Sequence, residues 1–173
     1  MKYRLLESDK AWFGLTLVAE PGWGRIDDRS AARVTRYSSG FAILLDRELV
    51  KDRFYGAFNV LYEAEASRER GVAEWERESK LGLAASITHQ FRPGWFAGIE
   101  TRYFRKYDAF SFQNFSGHAV FSGPTFYANL PNRWWMSGAW SIQVAGQARG
   151  DASNLDLENF VRHQALFRIG VDF

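Results

Sequence analysis

The chain has 173 residues, a length suited to one domain, and no cysteine, which excludes disulfides and thiolate metal sites. Its formal charge of +2 gives no field that points to nucleic acid, and no run approaches the roughly 18 apolar residues of a transmembrane helix. Yet Trp, Tyr and Phe make up 17% of the chain while mean hydropathy is −0.32, which suits a sheet whose two faces meet different solvents.

Met1-Lys2-Tyr3-Arg4-Leu5-Leu6 lacks the apolar stretch and cleavage site of a secretory signal, so a secreted protein is expected here as a mature form or a fragment. Period-two alternation then recurs along the chain. Phe13, Leu15, Leu17 and Ala19 alternate with Gly14, Thr16 and Glu20. Residues Phe41 to Leu45 read as a further strand. Phe54, Gly56, Phe58, Val60 and Tyr62 alternate with Ala57, Asn59, Leu61 and Glu63. Leu81, Leu83, Ala85 and Ile87 alternate with Lys80, Gly82, Ala84, Ser86 and Thr88. Trp95, Ala97, Ile99, Thr101 and Tyr103 alternate with Gly98, Glu100 and Arg102. Ala119 to Tyr127 is a strand in which Pro124 predicts a bulge or kink. Trp134, Met136, Gly138, Trp140, Ile142, Val144 and Gly146 oppose Ser137, Ala139, Ser141, Gln143, Ala145 and Gln147. The last strand places Val161, His163, Ala165, Phe167, Ile169, Val171 and Phe173 on one face.

These strands run to about 10 residues, near the 9–11 that cross a bilayer at a tilt and above the 5–6 usual in soluble sheets. Short links near Ser8-Asp9-Lys10, Asp46 to Asp52, Arg92-Pro93-Gly94 and Leu130-Pro131-Asn132-Arg133 alternate with long ones. The long ones cover about Pro21 to Arg36, Ser67 to Glu78, Lys106 to Ser116 and Gly150 to Glu158. So many Phe and Trp side chains would overfill a small lumen, so the apolar face is expected to point outward. The expected fold is therefore an all-β, antiparallel up-and-down transmembrane β-barrel of 8 to 10 strands, one domain over residues 1–173.

The other face supplies the candidate site. Glu63, Glu65, Lys80, Glu100, Arg102, Gln143, Gln147, Arg149, Arg162, Gln164, Arg168 and Asp172 are expected to line the lumen. Charges there must pair or meet water, as Lys80 beside Glu63 and Arg102 beside the preceding strand allow. With about eight strands such residues plug the interior. With twelve or more they line an aqueous path, with a cationic bias from Arg102, Arg149, Arg162 and Arg168. Aromatic residues follow the short turns: Phe54 and Tyr55, Trp95 and Phe96, Trp134 and Trp135. With Phe173 they are expected to form a girdle at one membrane interface.

Chemistry of other kinds finds little support. His89, His118 and His163 are dispersed and no ligand cluster for a metal is present, so no cofactor or metal site and no enzyme is expected. Gly22-Trp23-Gly24 precedes no helical pattern and is no phosphate cradle. The charge-rich run from Ser67 to Glu78 and the acidic stretch Asp151 to Glu158 read as solvated loops.

A last strand of alternating apolar residues closing on Phe173 resembles the terminal signature of bacterial outer-membrane β-barrel proteins. The resemblance implies a cell outer membrane location, membrane lipid around the barrel, and recognition of the last strand by the barrel assembly machinery. It also implies that the short turns are periplasmic. Lys2-Tyr3-Arg4-Leu5-Leu6, Phe13-Gly14-Leu15-Thr16-Leu17 and Ala19-Glu20-Pro21-Gly22-Trp23-Gly24 resemble an uncharacterised proteobacterial family of such barrels, which implies no activity. Outer-membrane phospholipases and lipid A deacylases carry a His-x-Ser pair, and none of the three histidines here has Ser two residues on.

Counting back from a periplasmic last strand gives nine strands with Met1 outside the cell, whereas barrels of this class carry an even number. Either Lys2 to Leu6 is not a membrane strand, or upstream strands are missing and the chain is a truncated copy of a larger barrel. The alternation of Tyr3 and Leu5 favours the second. The expected function is a non-enzymatic pore or binding protein for small solutes. Alternatives are a closed structural or adhesive barrel acting through its external loops, a lipid-modifying enzyme, and a soluble lipocalin-like barrel.

Overall fold

The computed structural model describes residues 1–8, 10–26 and 32–172. They form one sheet of nine strands: β1 (Lys2–Leu6), β2 (Gly14–Ile26), β3 (Arg33–Val50), β4 (Phe54–Glu69), β5 (Glu76–Arg92), β6 (Trp95–Tyr107), β7 (Phe115–Asn129), β8 (Trp134–Ala148) and β9 (His163–Val171). Each strand pairs antiparallel with the next in chain order, so the topology is up-and-down throughout. The sheet curls into a half-barrel, and among the described residues β1 and β9 do not pair with each other.

Turn chemistry explains the tight end. β5 and β6 join through Pro93-Gly94, where Gly94 has φ of +77°. Proline presets the first turn dihedral and glycine accepts the left-handed second one. β7 and β8 join through residues 130–133, with Asn132 and Arg133 at φ of 60° and 62°. At the opposite end the hairpins grow longer than the sequence suggests. The stretch expected as a long loop from Pro21 to Arg36 is mostly strand: β2 continues to Ile26 and β3 starts at Arg33. At the tight end β3 absorbs most of the turn expected from Asp46 to Asp52, and at the longer end β4 reaches Glu69 and β5 starts at Glu76. Polar and glycine-rich sequence there pairs across the ladder, because backbone hydrogen bonds do not require apolar side chains. Of the connections described in full, residues 149–162 form the longest.

Strand register assigns the two faces. Val18, Ala42, Leu61, Gly82, Phe104, Ala119 and Gly146 follow one another across β2 to β8 on one side. That side is concave: a cavity of about 450 Å³ opens onto it, walled by Glu20, Ser38, Glu63 and Lys80 and by Phe160 from the last connection. The convex side carries Leu17, Phe41, Ile43, Phe58, Ile87, Ile99, Phe126, Trp140 and Phe167, all largely exposed. The buried side chains Phe121, Ala119 and Ala148 lie instead on the concave side, under residues 149–162.

One irregularity matters for the site. Val120 pairs with Ala145 but Phe121 pairs with Gln143, so β8 carries an extra residue at Val144. A bulge of this kind reverses which face later residues occupy. Below it, Trp134, Met136, Gly138, Trp140 and Ile142 are convex as the alternation predicts. Above it, Gly146 faces the concave side and Gln147 the convex one, opposite to expectation.

Candidate site on the concave face

The concave face is charged, and several of its charges are paired. Lys80 Nζ lies 2.7 Å from Glu63 Oε2 across the β4–β5 ladder, and Lys106 Nζ lies 2.6 Å from Glu78 on β5. Arg4 Nη2 meets Asp46 at 3.0 Å at the short-turn end. Apart from the largely buried Lys106 these side chains are about a third to a half exposed, so the pairs contribute little stability and mainly fix side-chain direction. Arg102 does not pair with the preceding strand, where Ala84 is its neighbour. It contacts Glu100 on its own strand at 3.1 Å and donates to Ser141 Oγ on β8.

The other expected lumen residues divide into groups. Glu65 and Gln164 line the cavity beside Glu63 and Lys80. Glu100 and Arg168 occupy concave register positions, opposite Ser86 and Ser137. Gln143 is concave and almost fully buried; its side-chain amide donates to the Asp156 carbonyl at 3.3 Å, and its Oε1 has no partner among the described residues. Gln147 is convex, displaced by the β8 bulge, and donates to the Asp151 carbonyl at 2.9 Å. Arg149 and Arg162 flank the strands rather than lie in them: β8 ends at Ala148 and β9 starts at His163. Asp172 follows the end of β9, where its amide donates to the Arg133 carbonyl.

The expected aromatic girdle also divides. Phe54, Trp95 and Trp134 are convex by register. Tyr55 and Trp135 face the concave side, because consecutive strand residues point to opposite faces. They end a row that the sequence analysis did not single out: Tyr55 against Phe96 at 5.7 Å, Phe96 against Tyr127 at 5.9 Å, and Tyr127 stacked on Trp135 at 6.3 Å. This row floors the concave face at its short-turn end. Phe173 lies outside the described residues.

Residues 149–162 lie against the concave face of β7 and β8. The Gly146 amide donates to the Asn154 carbonyl at 3.0 Å, and the Gln143 amide donates to the Arg162 carbonyl at 2.9 Å. Phe160 packs at 6.3 Å on both Phe104 and Phe121. Asp156 is fully buried, and its carboxylate accepts from the Asn159 amide at 2.9 Å and from Asn159 Nδ2 at 3.0 Å. The seat is made of small residues, Gly117, Ala119, Gly146 and Ala148. Sequence periodicity does not reveal which connection folds inward, but four small concave residues on two adjacent strands were a usable signal.

The cavity that remains is walled by Glu20, Glu63, Glu65 and Glu78 against Lys80 and Lys106. Among the described residues no three His, Asp or Glu side chains converge as a metal site. His89, His118 and His163 are convex by register, and His89 and His163 stack on Phe54 and Trp140. They are therefore on the other side of the sheet from the clustered carboxylates. What the concave arrangement can do is hold a small polar solute between fixed charges.

No curated protein and no solved structure matches the chain. A family model does match it over residues 1–173, and the chain belongs to that family, a family of unknown function (DUF6662).

Proposed function

We propose that the chain is a non-enzymatic β-barrel protein of a bacterial outer membrane, or belongs to such a barrel, and that it binds and passes small solutes along its concave face. The observation that carries this reading is inverted polarity. Large apolar side chains are exposed on the convex face, while ion pairs and polar groups lie on the concave one. In water so continuous an apolar face would be an aggregation surface. Against lipid it is the expected barrel exterior, and the convex residues Phe54, Trp95 and Trp134 suit one interface. In this reading the short turns are periplasmic and the last strand is read by the barrel assembly machinery.

The solute class follows from the lining. Four carboxylates and two ammonium groups wall the cavity, which favours cations over anions. Arg102 is held by Glu100, Arg149 and Arg162 lie in the connection, and Arg168 adds one concave charge, so the arginines of the lumen do not outweigh the four carboxylates. A closed barrel that contains the chain, inserted in a planar bilayer, is expected to show a cation-selective reversal potential under a salt gradient. Replacing Glu20 and Glu78 together by Gln should reduce it. A reversal potential unmoved by those changes counts against conduction past this wall.

The second reading is a closed structural or adhesive barrel acting through its loops. The observation favouring it is the inward-folded connection, whose Phe160 fills the space over Phe104 and Phe121. It predicts no conductance at all.

A further inference from the structure

Charge is distributed unequally between the two sides of the sheet. Among the described residues, every carboxylate borne by a strand falls on the concave side by register, from Glu20 and Asp46 through Glu63, Glu65 and Glu78 to Glu100. The convex side receives arginines instead. Arg68 stands opposite Thr35, Arg77 opposite Ala66, and Arg105 opposite Leu81, each toward the end of its strand next to the longer connections. The chain as a whole is only +2, so this cationic zone arises from segregation and not from composition.

The arginines are also presented in a particular way. Arg25 lies 4.8 Å over the Trp23 ring, Arg68 4.9 Å over Trp75, Arg77 5.7 Å over Phe110, and Arg105 4.7 Å over Phe115. A guanidinium held over a ring can still present N–H donors to a bidentate oxygen acceptor. The rings mark depth as well. Residues 108–114 fold down on the convex side, where Tyr62 Oη donates to the Phe110 carbonyl at 2.5 Å and Ser79 Oγ donates to the Ala109 carbonyl at 2.6 Å. Aromatic rings gathered at one end of an apolar face belong at headgroup level.

We infer that this end of the convex face binds phosphate-bearing lipid headgroups through Arg25, Arg68, Arg77 and Arg105. The inference rests on the membrane reading above and adds a lipid preference to it. Four like charges on the side where no described strand places a carboxylate repel one another in a neutral bilayer. Against an anionic leaflet each gains from the surface potential, and the forked donor matches a phosphate.

The test is co-flotation of the full chain with two kinds of vesicle, phosphatidylcholine alone and phosphatidylcholine mixed with phosphatidylglycerol. The readout is the ratio of binding to the two, since a folding defect lowers both together. The wild type should favour the anionic vesicles. The R25Q/R68Q/R77Q/R105Q variant should lose at least about tenfold of that ratio while still floating with neutral vesicles. The K10Q/K51Q/R53Q/R133Q variant, which removes the same charge at the opposite end, should keep most of it. The R25K/R68K/R77K/R105K variant, which keeps the charge but loses the fork, should fall between the wild type and the four-Gln variant.

Equal binding of the wild type to both vesicles overturns the inference and leaves the membrane reading standing. An unchanged ratio in the four-Gln variant, or an equal loss in the opposite-end variant, overturns it as well. No flotation with either vesicle removes the membrane reading itself.

Discussion

A Cβ built on Gly117 would stand 1.9 Å from Asp156 Oδ2 and 2.5 Å from Asn159 Nδ2, so residues 149–162 can sit on β7 only because that position has no side chain. Gly117→Ala should therefore displace Asp156, at about 1–3 kcal/mol, and speed cleavage after Glu158 by a Glu-specific protease. Cleavage at the wild-type rate would mean that the connection does not rest there. Asp151, in the same connection, offers a pH test. The Ser153 hydroxyl and amide donate to its carboxylate and lower its pKa below the ordinary 3.8. A lowered folded-state pKa means the turn's contribution is complete above the unfolded value and is lost as pH falls through the folded one. The Ser153 amide shift should titrate with a midpoint below 3.8 and stop titrating in Asp151→Asn; a midpoint at or above that value shows that the turn does not persist.

At the scale of the strands, the convex belt makes the sharpest demand. Ile99, 58% exposed at a mid-strand position of β6, faces outward between Ile87 and Pro124. In water, Ile99→Arg on an exposed strand position would cost almost nothing. Facing lipid near mid-depth it should cost about 2–4 kcal/mol, read from denaturant titration in lipid vesicles against the wild type. A neutral result would remove lipid from this face. The alternation that points to Ile99 was legible because strand side chains repeat every two residues with nothing to shift them over most of the chain. Where something does shift them, the sequence misleads. The extra residue at Val144 moves Gln147 outward, and the adjacency of Tyr55 to Phe54 and of Trp135 to Trp134 sends one ring of each pair inward. The inward fold of residues 149–162 was not legible either: periodicity describes strands, whereas the placement of Phe160 on Phe104 and Phe121 depends on contacts between distant parts of the chain.

Across the whole molecule the odd strand count sets the remaining problem. Nine strands alternating up and down leave β1 and β9 running parallel, each with one edge that pairs with no other described strand. Unpaired ladder groups cannot be left in hydrocarbon, since each would lose its hydrogen bond to water. Closure within this chain would require a parallel β1–β9 seam, and β1 supplies only five residues to β9's nine. A seam so short leaves much of β9 open, so the membrane reading needs further strands to complete the ring. The chain folded in detergent should therefore be strand-rich by circular dichroism yet migrate identically on a gel with and without boiling. A form of the protein carrying additional strands should show the heat-dependent shift of a closed barrel. If these 173 residues alone produce that shift, the β1–β9 seam forms after all. The interior is then narrow, residues 149–162 fill much of it, and the loops rather than the concave wall become the place to look for function.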